Sequence, residues 1–226
     1  PYAMPASMKE GDFNEADDSI SLAPKRSGFG KLMFALVFCL FWNGIVSVFV
    51  YQMIEGFRHG DPEWFLVFFL IPFELIGLAT IGWVFYSLLA MFNPRFSLTL
   101  TPSRLYPGMV GQISWQGAGK TERIRELKII LNGREEATYR VGTDTKTAAH
   151  TFYEMDLFRT TNQHEIARGE VGFGIPSDTM HSFQAANNKI IWSIQLAGDI
   201  ARWPDVKQEY QLTLRPQELT ALEARS

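Results

Sequence analysis

Two long stretches without charge limit what this chain can fold into. Between Lys31 and Glu55 it runs 23 residues, Leu32 to Ile54, with no charged side chain. Between Glu63 and Arg95 it runs 31 more, Trp64 to Pro94, with Glu74 as the single charge. At about 1.5 Å per residue, each stretch is long enough to cross a hydrocarbon core of roughly 30 Å. A backbone in lipid must satisfy its own hydrogen bonds, and an isolated apolar run does so only as a helix. The expectation is a transmembrane helical hairpin over residues 29–93, with helices at about 30–53 and 62–92. Pro62 suits the first turn of the second helix. Pro72 removes one of that helix's hydrogen bonds and is expected to kink it.

The flanks carry the topological signal. Lys25, Arg26 and Lys31 stand before the first helix, Arg95 and Arg104 follow the second, and the connecting loop offers Arg58. The positive-inside rule then places both termini in the cytoplasm. Residues 1–28 include Glu10, Asp12, Glu15, Asp17 and Asp18 with no apolar period, and read as a disordered acidic tail. An apolar core that starts so late and runs so long is not a secretory signal.

After Asn93-Pro94 the pattern changes to short alternating runs separated by turn residues. Phe96–Leu100, Val110–Trp115, Glu126–Asn132, Glu136–Val141, His150–Phe158, Glu165–Phe173, Ile190–Leu196 and Glu209–Leu214 read as strands. Runs of this length and spacing indicate an antiparallel β-sandwich over 94–216, followed by a short tail at 217–226 that is helical or frayed. From Asn93 onward 16 Lys and Arg face 15 Asp and Glu. So balanced a domain has no basic stripe for nucleic acid and no strong field for a charged substrate. The lone cysteine, Cys39, rules out an internal disulfide and a multi-thiolate metal site.

The run from Leu105 to Pro216 resembles an arrestin-type or immunoglobulin-like sandwich. The resemblance rests on the Pro107-Gly108 turn, on Ile129-Ile130-Leu131, and on Phe173, Ile175, Pro176, Ser182 and Phe183 leading into Ile190–Ile194. The whole chain resembles uncharacterised bacterial membrane proteins that carry two helices and such a domain. The resemblance implies a fold and, because arrestin-type sandwiches are binding and scaffold modules, an interaction role. It implies no active site.

Other motifs read as structure. Gly117-Ala118-Gly119-Lys120-Thr121 imitates the end of a phosphate-binding loop, but Ser114 stands where the first glycine belongs, and β-type sequence follows instead of a helix. A flexible hairpin loop is expected there. His59, His150, His164 and His181 all lie outside the predicted helices, so the hairpin offers no histidine to an intramembrane haem or pigment. Asp178, His181 and Ser182 are near in sequence, yet a triad is defined by geometry. Glu135 and Glu136, adjacent on a strand, point to opposite faces. Gly142 to Thr145 has the composition of a turn. Trp203 is either tucked under its own loop or an anchor for a partner.

Within the hairpin Glu74 is the most informative residue, because a carboxyl near mid-membrane must be paired, protonated or turned to a polar interior. Asn43 is expected at similar depth, and an Asn43–Glu74 hydrogen bond would join the helices. The alternative is that Glu74 meets a partner subunit or a proton path. Gly44, Ser47, Gly77 and Gly82 offer small surfaces for close approach of helices or subunits. The rings of Phe65, Phe68, Phe69, Phe73 and Phe85, with Phe34, Phe38, Phe41, Trp42, Phe49 and Tyr51 of the first helix, cover nearly all faces and exceed what two helices can bury between them. They therefore face lipid, neighbouring helices, or pigments or quinones held by neighbouring subunits.

The expected function is a non-catalytic accessory or scaffold subunit of a larger bacterial inner-membrane complex, with no cofactor of its own. The hairpin would dock on other integral membrane subunits. An energy-transducing complex, respiratory or photosynthetic, fits the aromatic helices. The alternative is a membrane-tethered sandwich that recruits a soluble protein or peptide.

Overall fold

A computed structural model describes residues 18–24 and 28–216. The acidic cluster before Asp18, the Lys25-Arg26 pair and the terminal segment 217–226 lie outside the described residues. The chain divides into two compact units, the hairpin at 27–93 and a β-domain formed by the segments on either side of it.

In the hairpin, α1 is Gly28–Arg58 and α2 is Trp64–Ala90. α1 runs five residues past its expected end, and the final turn carries an ion pair from Arg58 to Glu55 at 2.9 Å. α2 passes through Pro72 without interruption. Their apolar windows have mean hydropathies of 2.3 and 2.2 but are only 11% and 17% buried, whereas the core helix of a soluble protein is mostly buried. Both are long and apolar enough to cross a membrane.

The least exposed positions of each helix form one seam. On α1 these are Leu32, Ala35, Cys39, Trp42 and Val46, and on α2 they are Leu66, Leu70, Phe73, Gly77, Thr80 and Val84. Steps of three and four residues keep such a row facing one partner along its length, as in an antiparallel coiled pair.

Among the described residues the β-domain holds nine strands. Ile20–Leu22 is β1, Arg95–Thr101 β2, Val110–Ala118 β3, Ile124–Val141 β4, Asp144–Thr160 β5, Arg168–Gly174 β6, Phe183–Gln184 β7, Asn188–Ile200 β8 and Val206–Leu212 β9. One sheet has the order β1-β2-β3-β6, and the other runs β5-β4-β8 with β7 and β9 both paired to β8. All pairings between these strands are antiparallel, and a single parallel bridge joins Leu105 to Leu214.

Period-two alternation builds the core. Phe96, Leu98 and Leu100 of β2 and Ile113 and Trp115 of β3 point inward from the first sheet, and Leu127, Ile129 and Leu131 of β4 with Trp192, Ile194 and Leu196 of β8 point inward from the second. They join one continuous apolar cluster, as two sheets packed face to face must. A polar tie crosses the layers: the Tyr210 hydroxyl lies 2.5 Å from the Phe96 carbonyl and 2.8 Å from Gln208 Oε1, which accepts the Phe96 N–H at 3.1 Å. Burial pushes the Tyr210 pKa well above the ordinary tyrosine value.

Four expectations need correction. Residues 20–22, expected in the disordered tail, form β1 against β2, with Ile20 opposite Leu100 and Leu22 opposite Leu98. The β-domain is therefore discontinuous, and the hairpin is inserted between two paired strands. Residues 126–132 and 136–141 belong to a single strand, β4, which passes a register shift at Gly133/Arg134. The start of the expected strand 165–173 is a short helix, α3 (Gln163–Ala167), whose Asn162 cap accepts the His164 N–H at 3.0 Å. The segment Gly117–Thr121 is no hairpin loop; Gly119, at φ +92°, turns the chain from one sheet into the other through a 3-10 turn at Thr121–Arg123.

Candidate interaction surfaces

The hairpin seam has a polar centre. The Asn43 amide donates to the Cys39 carbonyl at 2.9 Å and to the Thr80 hydroxyl at 3.0 Å, and Thr80 donates to the Gly77 carbonyl at 2.7 Å. Gly77 is required here, because a Cβ at that position would stand 2.6 Å from Asn43 Oδ1. Beside this group the Trp42 indole N–H donates across the helices to the Phe73 carbonyl at 3.1 Å. Polar side chains in lipid gain by finding such partners within the membrane.

The expected Asn43–Glu74 bond is not formed. Phe73 occupies the seam position, and the next residue is turned by about 100° on a helix of 3.6 residues per turn. Glu74 is thus rotated to the flank, half-exposed, and makes no hydrogen bond or ion pair among the described residues. Gly44, Ser47, Pro72 and Gly82 are exposed as well, so they take no part in the contact between the two helices. Around Gly44 and Gly82 no atom lies within 4 Å of where a Cβ would be, and the Ser47 hydroxyl donates locally to the Gly44 carbonyl at 2.8 Å.

The other flank is aromatic. Phe65, Phe69, Phe73, Trp42, Phe38, Phe34 and Trp83 form an unbroken series of ring contacts with centroids 4.9 to 6.4 Å apart. These separations favour offset and edge-on ring packing. From Phe65 to Trp83 the ribbon follows α2 for about 27 Å, most of the hydrocarbon thickness. Phe65 is 81% and Phe34 64% exposed, so the ribbon is surface rather than core.

On the β-domain, β5 is an edge strand of 17 residues paired on one side by β4. Beyond Ala137 the β4–β5 hairpin has lost its contact with β8, and Tyr139 to Thr151 are exposed on both faces. Its tip is a two-residue loop, Gly142-Thr143, with Gly142 at φ +64° as hairpin turns of this length demand. At the base of this arm Arg134 donates to Glu136 at 2.9 Å and to Glu209 at 2.7 Å. Its pKa is raised; burial opposes the charge, and the hydrogen bonds and charges of Glu209 and Glu136 outweigh that.

A shallow depression beside Glu126, Lys128, Asp199, Asp205 and Lys207 holds charges of both signs. Several are committed to ion pairs, Lys128 with Asp156 at 2.8 Å and Asp199 with Arg125 at 2.8 Å. Trp203 packs half-buried against the core under the Arg123 guanidinium, 4.7 Å from its ring centroid.

The remaining motifs have structural roles. Ser182 Oγ accepts the Leu214 N–H at 3.0 Å, which ties the 176–182 loop to the segment that follows β9. Gly117 is packed against Phe96 and Thr121 in a strand, without the helix that a phosphate loop needs. Among the described residues no three His, Cys, Asp or Glu side chains gather in metal-binding geometry. The residues that sequence reasoning passed over are Thr80, the Trp42 donor and Arg134. Thr80 had a signal, since the spacing Phe73, Gly77, Thr80 continues one helix face.

No protein-family model matches the chain, and no curated protein sequence does. Among solved structures, the sporulation control protein Spo0M from Bacillus subtilis is similar at a TM-score of 0.40 and 13% identity. The likeness covers 55% of this chain and 50% of that one, so it spans about half of each.

Proposed function

We propose that this protein is a non-catalytic accessory or scaffold subunit of a bacterial inner-membrane complex. The hairpin docks on other integral membrane subunits, and the sandwich serves as an interaction module on the aqueous side. The observation that carries the reading is the aromatic ribbon from Phe65 to Trp83, a continuous ring surface running most of the way across the membrane and left open by the chain itself. Lipid, another subunit's helices, or a pigment or quinone held by such a subunit would cover it, and an energy-transducing complex, respiratory or photosynthetic, supplies such surfaces. The Lys and Arg distribution supports a cytoplasmic location for the sandwich and both termini.

Blue-native electrophoresis with mass spectrometry of co-migrating proteins tests this reading. Specific membrane proteins are expected to travel with the intact chain and to be lost when Phe65 and Phe69 are both changed to Leu. Migration without other proteins in mild detergent overturns the proposal.

The edge strand favours a second reading, in which the tethered sandwich recruits a soluble protein or peptide by strand addition to β5. Its test uses a soluble form that joins residues 18–24 to residues 94–216, because a form starting at Pro94 lacks β1.

A further inference from the structure

One face of the hairpin has a more definite partner. We propose that its aliphatic face is the contact through which two copies of this chain associate side by side in the membrane, with Glu74 of each copy meeting Ser47 of the other. The inference rests on the hairpin crossing the membrane and deepens the docking role proposed for it.

The face is a second seam. On α2, Val67, Ile71, Glu74, Leu78, Ile81 and Phe85 repeat the spacing of the row that meets α1, displaced by one residue. On α1, Met33, Leu36, Leu40, Asn43 and Ser47 are displaced by one residue in the same way. Adjacent rows are about 100° apart, close to the right-angle turn by which each helix of a four-helix bundle meets two neighbours. The hairpin alone uses one row of each helix. Ile71 is 50%, Leu78 62% and Leu40 67% exposed, so the second rows lie largely open, except at Asn43, whose amide is turned into the first seam. Phe85 is their one ring, whereas the opposite flank carries the aromatic ribbon.

Depth supplies the pairing. Asn43 sits opposite Gly77 and Thr80, and the helices are antiparallel. One turn along α1, Ser47 therefore stands level with positions 73 to 76 of α2, the stretch that contains Glu74. A two-fold axis along the membrane normal sets α1 of one copy beside α2 of the other, so Ser47 and Glu74 meet twice in an isologous contact. The Ser47 proton is used on the Gly44 carbonyl, which leaves the hydroxyl oxygen as an acceptor facing the Glu74 carboxyl group. Among the described residues Glu74 has no hydrogen-bond or ion-pair partner, and an unpaired carboxyl in lipid is costly. Gly44, with open space where a Cβ would be, lets the second copy's helix come close one turn from Ser47. A polar layer within otherwise aliphatic rows also fixes register, as a single buried polar position does in a coiled coil.

The test is energy transfer between differently labelled full-length chains in liposomes, together with oxidative crosslinking in a Cys39→Ala background. Wild-type chains are expected to form dimers. Glu74→Leu weakens association by about tenfold, while Glu74→Gln, which can still donate, stays within about threefold. Chains carrying Leu40→Cys crosslink to chains carrying Ile81→Cys, since α1 of one copy faces α2 of the other, and chains carrying Phe69→Cys crosslink to neither. Monomeric wild-type chains, unchanged association of Glu74→Leu, or no crosslink between Leu40→Cys and Ile81→Cys chains each overturn the proposal. Capture of a different protein by Leu40→Cys in native membranes overturns the choice of partner. Since Glu74 bonds to none of the described residues, unchanged thermal stability of the monomer shows that its variants still fold. Failure here is distinguishable from failure of the docking role, because Phe65 and Phe69 changes remove co-migrating proteins without altering copy number.

Discussion

The Asn43 amide reaches the Thr80 hydroxyl at 3.0 Å, and Thr80 hands its own proton to the Gly77 carbonyl at 2.7 Å. Because the two helices share this short relay, either residue's loss should cost the same interaction. Asn43→Leu and Thr80→Val are each expected to destabilise the helix pair by about 0.6–2 kcal/mol. The double variant should lose little more than either single one. Thermal unfolding of the full chain in mild detergent measures both, and additive losses would show that the relay does not act as a unit.

Gly77 and Gly82 should respond in opposite ways. A methyl at position 77 drives into Asn43 Oδ1, so Gly77→Ala should lower the unfolding temperature of the hairpin. Gly82 has open space, and Ala there should be neutral or raise stability by up to about 1 kcal/mol through helix propensity. Equal behaviour of the two variants in the same detergent melt would contradict the packing described.

In the sandwich, Gly169 lies where any Cβ would enter the ring of Trp115, whose indole N–H donates to the Glu165 carbonyl at 2.9 Å. Gly169→Ala should force the ring aside and cost about 1–3 kcal/mol. Chemical denaturation of the soluble form reads the loss, and a shift in tryptophan emission reports the displaced ring.

Tyr210 predicts an alkaline limit. Its pKa is raised on folding, so the folded state holds the phenolic proton more tightly than the unfolded chain does. The contribution is complete below the unfolded value of about 10 and is lost as pH climbs above it. Tyr210→Phe should be less stable at pH 7 by about 1 kcal/mol, from the lost hydroxyl bonds. Its stability should then fall less steeply above about pH 10 than that of the wild type. Parallel pH–stability curves for the two proteins would refute this.

What the sequence disclosed, and what it hid, follows from range. An uncharged run is a local property, so the helices were legible to within a few residues, as was the alternation at Phe96 to Leu100. The three residues of β1 are too few to carry a period, and their partners at Leu98 to Leu100 lie beyond the whole hairpin. The helix start at Gln163 hung on one Asn162 cap inside a run that otherwise reads as strand. At the hairpin centre, depth alone favoured Glu74 for Asn43, but the azimuth, set by which row faces α1, selected Thr80. Counting the three- and four-residue steps through Gly77 would have shown it.

The insertion of the hairpin between β1 and β2 governs how the molecule can be made. During synthesis Ile20 to Leu22 emerge before the whole hairpin, and the strand they pair with, Arg95 to Thr101, emerges after it. With the hairpin spanning the membrane as proposed above, the first sheet closes only when both of its flanks end in the same compartment. A chain caught with one crossing would then leave β1 and β2 on opposite sides of the bilayer, with the edge of β2 that β1 covers left bare. On that proposal, sheet closure is a built-in check on correct insertion.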